Sequence, residues 1–187
     1  TASESVAIGY NSLTSTTTGG ANVAIGNLAG QNTTGNNNVI VGNDAGKFTT
    51  GVDHCIAIGK AALKGDGSTA PDGDYNIAIG SYTLDAATTG ASNIAIGHLA
   101  GTAFLNANNN IAIGHQALEA EDVSAGNVAI GYQALKVQNT DSSNNVAIGY
   151  QAAVALNGGT NSVYVGYLAG GVGVITGDNN VVVGTKA

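Results

Sequence analysis

The sequence has no methionine or tryptophan, one proline and one cysteine among its 187 residues. A lone cysteine excludes an internal disulfide framework and a multi-cysteine zinc site. Charge is scarce as well. Charged residues make up 9% of the chain, against about 25% in an average globular domain. Five Lys and Arg stand against twelve Asp and Glu, for a net charge of −7. So few cations neutralise few phosphates, and no nucleic-acid partner is expected. No apolar run approaches the roughly 18 residues of a spanning helix, so no membrane insertion is expected. What remains is apolar: 43% of residues are hydrophobic, too many for a disordered chain. The chain opens on Thr1, without a basic stretch followed by an apolar one. It reads as a processed product or a fragment.

Glycine is abundant, 29 residues, and its placement is periodic. The tetrapeptide V/I-A-I-G, or a near variant, ends at Gly9, Gly26, Gly42, Gly59, Gly80, Gly97, Gly114, Gly131, Gly149, Gly166 and Gly184. Successive spacings are 17, 16, 17, 21, 17, 17, 17, 18, 17 and 18 residues. The repeats leave no linker, so residues 1–187 read as a single repeat domain. Asn precedes the motif in eight coils, and Ser5, Cys55 and Ser162 replace it in the other three. Three residues after the motif Gly stands Ala in nine coils, with Ser12 and Thr83 in the other two. The next slot holds Leu in one coil type and Gly in another.

A period near 17 is too short for a helix–turn–helix repeat, which needs about 34 residues. The β-branched runs bounded by Asn and Gly read as strands, with two short strands and two turns per coil. Coils stacked in register place like residues above one another, about 4.8 Å apart. The expected fold is an all-β parallel solenoid of about eleven coils. Within Val128-Ala129-Ile130, alternation puts Val and Ile on one face and Ala on the other. The Val and Ile ladders are expected to fill the interior. The Ala ladder of Ala24, Ala57, Ala78, Ala95, Ala112, Ala129 and Ala147 is expected to form a smooth core-and-interface stripe that a second chain approaches closely. A thin coil with such a stripe uncovered calls for symmetric association.

The motif Asn-Val-Ala-Ile-Gly followed by small residues resembles the head domain of trimeric autotransporter adhesins of the YadA type, where it reads N-S-V-A-I-G. Asn161-Ser162-Val163-Tyr164-Val165-Gly166 is its closest echo. The longer pattern Asn144-Asn145-Val146-Ala147-Ile148-Gly149-Tyr150-Gln151-Ala152 resembles repeats of bacteriophage tail-fibre and related virion proteins. Turns such as Thr33-Thr34-Gly35 and Thr49-Thr50-Gly51 strengthen that likeness. The resemblance covers all eleven coils. It implies a left-handed parallel β-roll, three chains side by side, and coils stacked along a fibre axis. It also implies an extracellular place, on a virion or a cell surface. The implied partners are further copies of the chain and a cell-surface glycan or protein receptor. The period here is longer than that of the adhesin head, and no stalk or anchor sequence accompanies it. An open terminal coil offers an edge that a neighbouring subunit could complete, which makes an end-to-end polymer a further expectation.

Candidate sites follow from the ladders. The first residue after the motif Gly reads His98, His115, Tyr132, Tyr150 and Tyr167 from the sixth coil on. Such a stripe stacks on sugar rings or on itself as a stiffening ladder. His98 and His115 could share a metal, but no carboxylate occupies a matching slot. Asn76, Asn93, Asn110, Asn127 and Asn145 read as a structural ladder of stacked amides. The long coil carries Asp66, Asp72 and Asp74, a weak calcium candidate whose spacing fits no known calcium loop. Cys55 follows His54, but strand neighbours point to opposite faces and share no proton easily. Asp44, Asp85, Glu119, Glu121 and Asp122 are scattered over different slots, whereas glycan cleavage needs a carboxylate pair about 5–9 Å apart. No phosphate loop or nucleophile elbow is present. The sequence therefore points to a non-enzymatic structural or adhesive fibre protein without a cofactor. One expectation is a tail-fibre-like rod that supports host attachment. The others are a bacterial adhesin head and a self-polymerising extracellular filament.

Overall fold

The computed structural model describes residues 4–65, 67, 73–87, 89–120, 123–139, 142–171 and 173–187. Its strands are β1 (Val6–Ile8), β2 (Val23–Ile25), β3 (Val39–Val41), β4 (Ile56–Ile58), β5 (Ile77–Ile79), β6 (Ile94–Ile96), β7 (Ile111–Ile113), β8 (Val128–Ile130), β9 (Val137–Asn139), β10 (Val146–Ile148), β11 (Ala155–Asn157), β12 (Val163–Val165) and β13 (Val181–Val183). Eleven of them form one sheet in the order β1-β2-β3-β4-β5-β6-β7-β8-β10-β12-β13. All its pairings are parallel and in register, so Ala112 lies beside Ala129 and Ala129 beside Ala147. The chain is thus a parallel β-solenoid of about ten turns. Among the described residues there is no helix, and hence none long and apolar enough to cross a membrane.

Among the described residues, the second strand expected in every coil forms in only two. β9 pairs with β11, and isolated bridges join Ala120 to Val137 and Leu156 to Ile175. Left-handed residues turn the chain sharply after each strand of the main sheet, and β9 and β11 form only beyond them. In the eighth coil φ is +137° at Gly131, +55° at Gln133 and +47° at Leu135, and it is +60° at Asn144 ahead of the next strand. The motif Gly is obligatory there. A Cβ on Gly131 would run into the carbonyl oxygen of Gly149, one coil on. Each non-glycine left-handed residue costs about 1–2 kcal/mol. Burial offsets that cost for the leucines. Leu63, Leu84, Leu118 and Leu135 are fully buried, worth about 1.5–3 kcal/mol each. The coils also satisfy one another's backbone. The amide of Val128 donates to the Asn145 carbonyl above at 2.8 Å, and that of Gly131 to the Ile113 carbonyl below at 2.8 Å.

The two faces of the strand are the reverse of what alternation alone suggested. Ala24, Ala57, Ala78, Ala95, Ala112, Ala129 and Ala147 are all 0% exposed; they line the interior and offer nothing to a second chain. The second Ala ladder, including Ala100, Ala117 and Ala134, is buried with them in the same core cluster. The Val and Ile side chains point outward and stay half-exposed along the sheet. The reason is thickness. In most coils strand and return arm meet through this Ala with Leu beside it, and Ile40 or Tyr164 takes the Ala slot where Gly46 or Gly170 leaves room. Period-2 alternation identifies two faces but does not say which is inside.

Core volume is conserved across slots. Where Leu is replaced by Gly or Ala after the motif, a larger side chain enters elsewhere. A Cβ on Gly101 would meet Phe104, on Gly46 it would meet Ile40, and on Gly170 it would meet Tyr164 and Ile175. Leu156 fills the coil that carries Ala153. Such trade-offs keep the density that interiors require.

The Asn column is bonded from coil to coil. The Asn93 backbone amide donates to the Asn76 side-chain oxygen at 2.9 Å, and Asn110, Asn127 and Asn145 repeat the bond at 3.0, 2.8 and 2.9 Å. The side-chain nitrogen of Asn110 donates to the Ser124 carbonyl at 2.9 Å, closing the turn above. Asn76, Asn93 and Asn145 bond a turn carbonyl in the same way, whereas the buried Asn127 side-chain nitrogen has no hydrogen-bond partner among the described residues.

Candidate outward ladders

With the core closed by Ala, Leu and Asn, chemistry is left to the outer columns. One lies on the glycine side of the sheet. From His98 to Tyr167 its rings stack: His98–His115 at 5.2 Å between centroids, His115–Tyr132 at 5.3 Å, Tyr132–Tyr150 at 5.0 Å and Tyr150–Tyr167 at 5.3 Å. Interplanar angles are 28°, 11°, 10° and 16°. Tyr82 caps the lower end edge-on at 6.3 Å. The residues are exposed, Tyr132, Tyr150 and Tyr167 at 40%, 44% and 47%. Their faces, however, are covered by one another. The stripe presents ring edges: phenol hydroxyls and imidazole nitrogens. Face-on stacking of sugars, as first envisaged for it, has no open faces between the rungs.

Beside this column runs one the sequence reading passed over. Gln133 Nε2 donates to Gln116 Oε1 at 2.7 Å, and Gln151 Nε2 to Gln133 Oε1 at 2.7 Å. Gln116 donates in turn to Glu119 at 2.9 Å, which pairs with Lys136 at 3.3 Å. The signal was available, because Gln116, Gln133 and Gln151 share the second slot after the motif Gly.

The other outer column precedes the Asn slot. His54 and Tyr75 stack there at 5.1 Å, and Asn37 meets His54 Nε2 at 3.3 Å. Between the two columns lies the outward Val and Ile face. No known family, curated protein or solved structure matches this chain. The site must therefore be read from its own geometry.

The remaining candidates are not assembled. Asp66 and Asp72 lie outside the described residues. Asp74 is engaged in a turn ladder, where its Oδ1 accepts the Asp53 amide at 2.8 Å. Among the described residues no three His, Cys, Asp or Glu gather as metal ligands. His98 and His115 face each other as a stack rather than converging on a point. Cys55 is buried while His54 is exposed. The thiol stands in for Asn by accepting the Asn76 amide at 3.4 Å, and burial pushes its pKa up to about 11. Asp85 is held above the ordinary carboxylate range by burial, with Lys64 pulling it down. Lys60, fully exposed, is raised by its hydrogen bond to the Tyr82 hydroxyl.

Proposed function

We propose that the chain is a segment of a non-enzymatic extracellular fibre, a left-handed β-roll of which three copies join side by side. The rod would sit on the outside of a virion, in the manner of a tail fibre, and support attachment to a host surface. The observation that supports this reading is the outward Val and Ile face. Two columns of β-branched side chains run the length of the eleven-stranded sheet, and Ile25, Val39, Ile58 and Ile148 are exposed. The stack is about 48 Å long at roughly 4.8 Å per strand. Three residues of strand make it about 10 Å wide, so the apolar strip, without the flanking columns, has an area on the order of 500 Å². An exposed apolar patch of that size on a soluble chain is often an interaction site. The symmetric occupant is a second copy.

The mechanism is rigidity. Every coil hydrogen-bonds to the next, so stiffness accumulates along the rod, and repeated outer groups bind by avidity rather than through one pocket. Light scattering with negative-stain microscopy of the purified chain tests this. The expected result is a discrete three-chain rod. A monomer stable at high concentration contradicts it.

A further inference from the structure

We propose that coils six to ten bind an uncharged, extended β-1,4-linked polysaccharide lying along the rod, one sugar to each rung of the His98–Tyr167 ladder. The inference rests on the adhesive reading above and specifies its ligand. Three observations carry it. The rungs recur every 5.0–5.3 Å, close to the rise per sugar of an extended β-1,4-linked pyranose chain. The rungs offer edges rather than faces, so each coil presents a hydroxyl or an imidazole nitrogen to the ligand. The adjoining Gln116–Gln133–Gln151 amides hold a fixed direction through their mutual 2.7 Å bonds, which leaves the second N–H of each amide at the same period.

This is a periodic row of uncharged hydrogen-bonding groups. Successive β-1,4-linked sugars are flipped, so opposite edges face the row in turn, but each edge carries hydroxyls and one sugar meets every rung; the net charge of −7 disfavours an acidic polymer. An extended peptide repeats on one side every ~6.6 Å and loses register by more than an ångström per coil. An α-helix has a pitch of about 5.4 Å and would keep register, but helices dock through an apolar stripe, and here the row is polar.

The test is titration calorimetry of the full chain with cello- and chito-oligosaccharides from dimer to hexamer, and with maltohexaose as the curved α-1,4-linked control. Affinity is expected to rise with each sugar up to the pentamer and then level off. Maltohexaose is expected to bind about tenfold more weakly or not at all, each tenfold being about 1.4 kcal/mol. The triple variant Tyr132→Phe, Tyr150→Phe, Tyr167→Phe keeps the stacked rings and removes only the hydroxyls. It should lose affinity about tenfold or more with its melting curve unchanged. Binding without length dependence, or binding untouched by the triple variant, overturns the inference. So does attachment to a helical peptide receptor in place of the sugars. If no sugar binds yet the chain still forms three-chain rods that attach to cells, this inference falls and the fibre reading stands. If it neither associates nor attaches, both fall.

Discussion

Coils one to five and coils six to ten share one interior and differ outside. Inward of the first coil, where Ala7 is exposed, the strand Ala is fully buried in both halves, as at Ala57 and Ala129, and Leu fills the slot beside it, as at Leu63 and Leu118. Their outer columns diverge. After the motif Gly the first half carries Tyr10, Asn27, Asn43, Lys60 and Ser81, and the second carries the stacked His and Tyr rungs. The Asn column also differs. It is unbroken from Asn76 to Asn145, whereas Cys55 interrupts it between Asn38 and Asn76. The inward slots are thus held by packing, and the outward ones are free to carry recognition.

If the interiors are equivalent, Leu118→Ala and Leu63→Ala should destabilise alike, by about 2–5 kcal/mol each. Urea unfolding followed by circular dichroism checks this. A large gap between them would show that the halves are not built on one core. Next in size is the Asn column. Asn110→Ala removes the acceptor of the Asn127 amide and the donor to the Ser124 carbonyl, at a cost of about 1–3 kcal/mol for each buried group left unpaired. Cys55→Asn restores the column in the first half and should stabilise by about 1 kcal/mol.

The same thiol gives a pH dependence confined to the first half. Its folded pKa of about 11 lies above the ordinary 9.0. The stability it contributes is therefore complete below pH 9.0 and is lost as pH rises toward about 11, by up to about 2–3 kcal/mol. Cys55→Asn should flatten that part of the stability–pH curve relative to the parent. The smallest effect is expected at Tyr164, whose hydroxyl is buried without a hydrogen-bond partner among the described residues. Tyr164→Phe should raise stability by about 1 kcal/mol, measured in the same unfolding series.

The solenoid, its register and the Asn ladder were legible in the sequence because each is a matter of period. Recurrence at 17 residues stacks Asn93 on Asn76 whatever the coil's cross-section. Inside and outside were not legible in this way. Ala129 and Ile130 alternate identically in either arrangement, and only the close approach of the return arm decides that Ala is enclosed. The sharp turn into the return arm could not be read, because nothing in Gln133 or Leu135 announces a left-handed backbone. The Gln ladder was missed for a simpler reason: polar residues on a turn attract no attention until their amides are seen to bond.

The exchange of faces is the central claim, and two neighbouring substitutions test it most directly. Ala129→Leu places a bulky side chain inside the coil, and Ile130→Glu places a charge on the outer face. Both can be followed by thermal melting and light scattering. Ala129→Leu is expected to lower the melting temperature sharply, at a cost of about 1–3 kcal/mol or more in stability. Ile130→Glu should keep its fold and fall apart into single rods. The opposite result, a heat-stable Ala129→Leu that merely dissociates, would put the Ala ladder on the proposed association face instead of inside the coil.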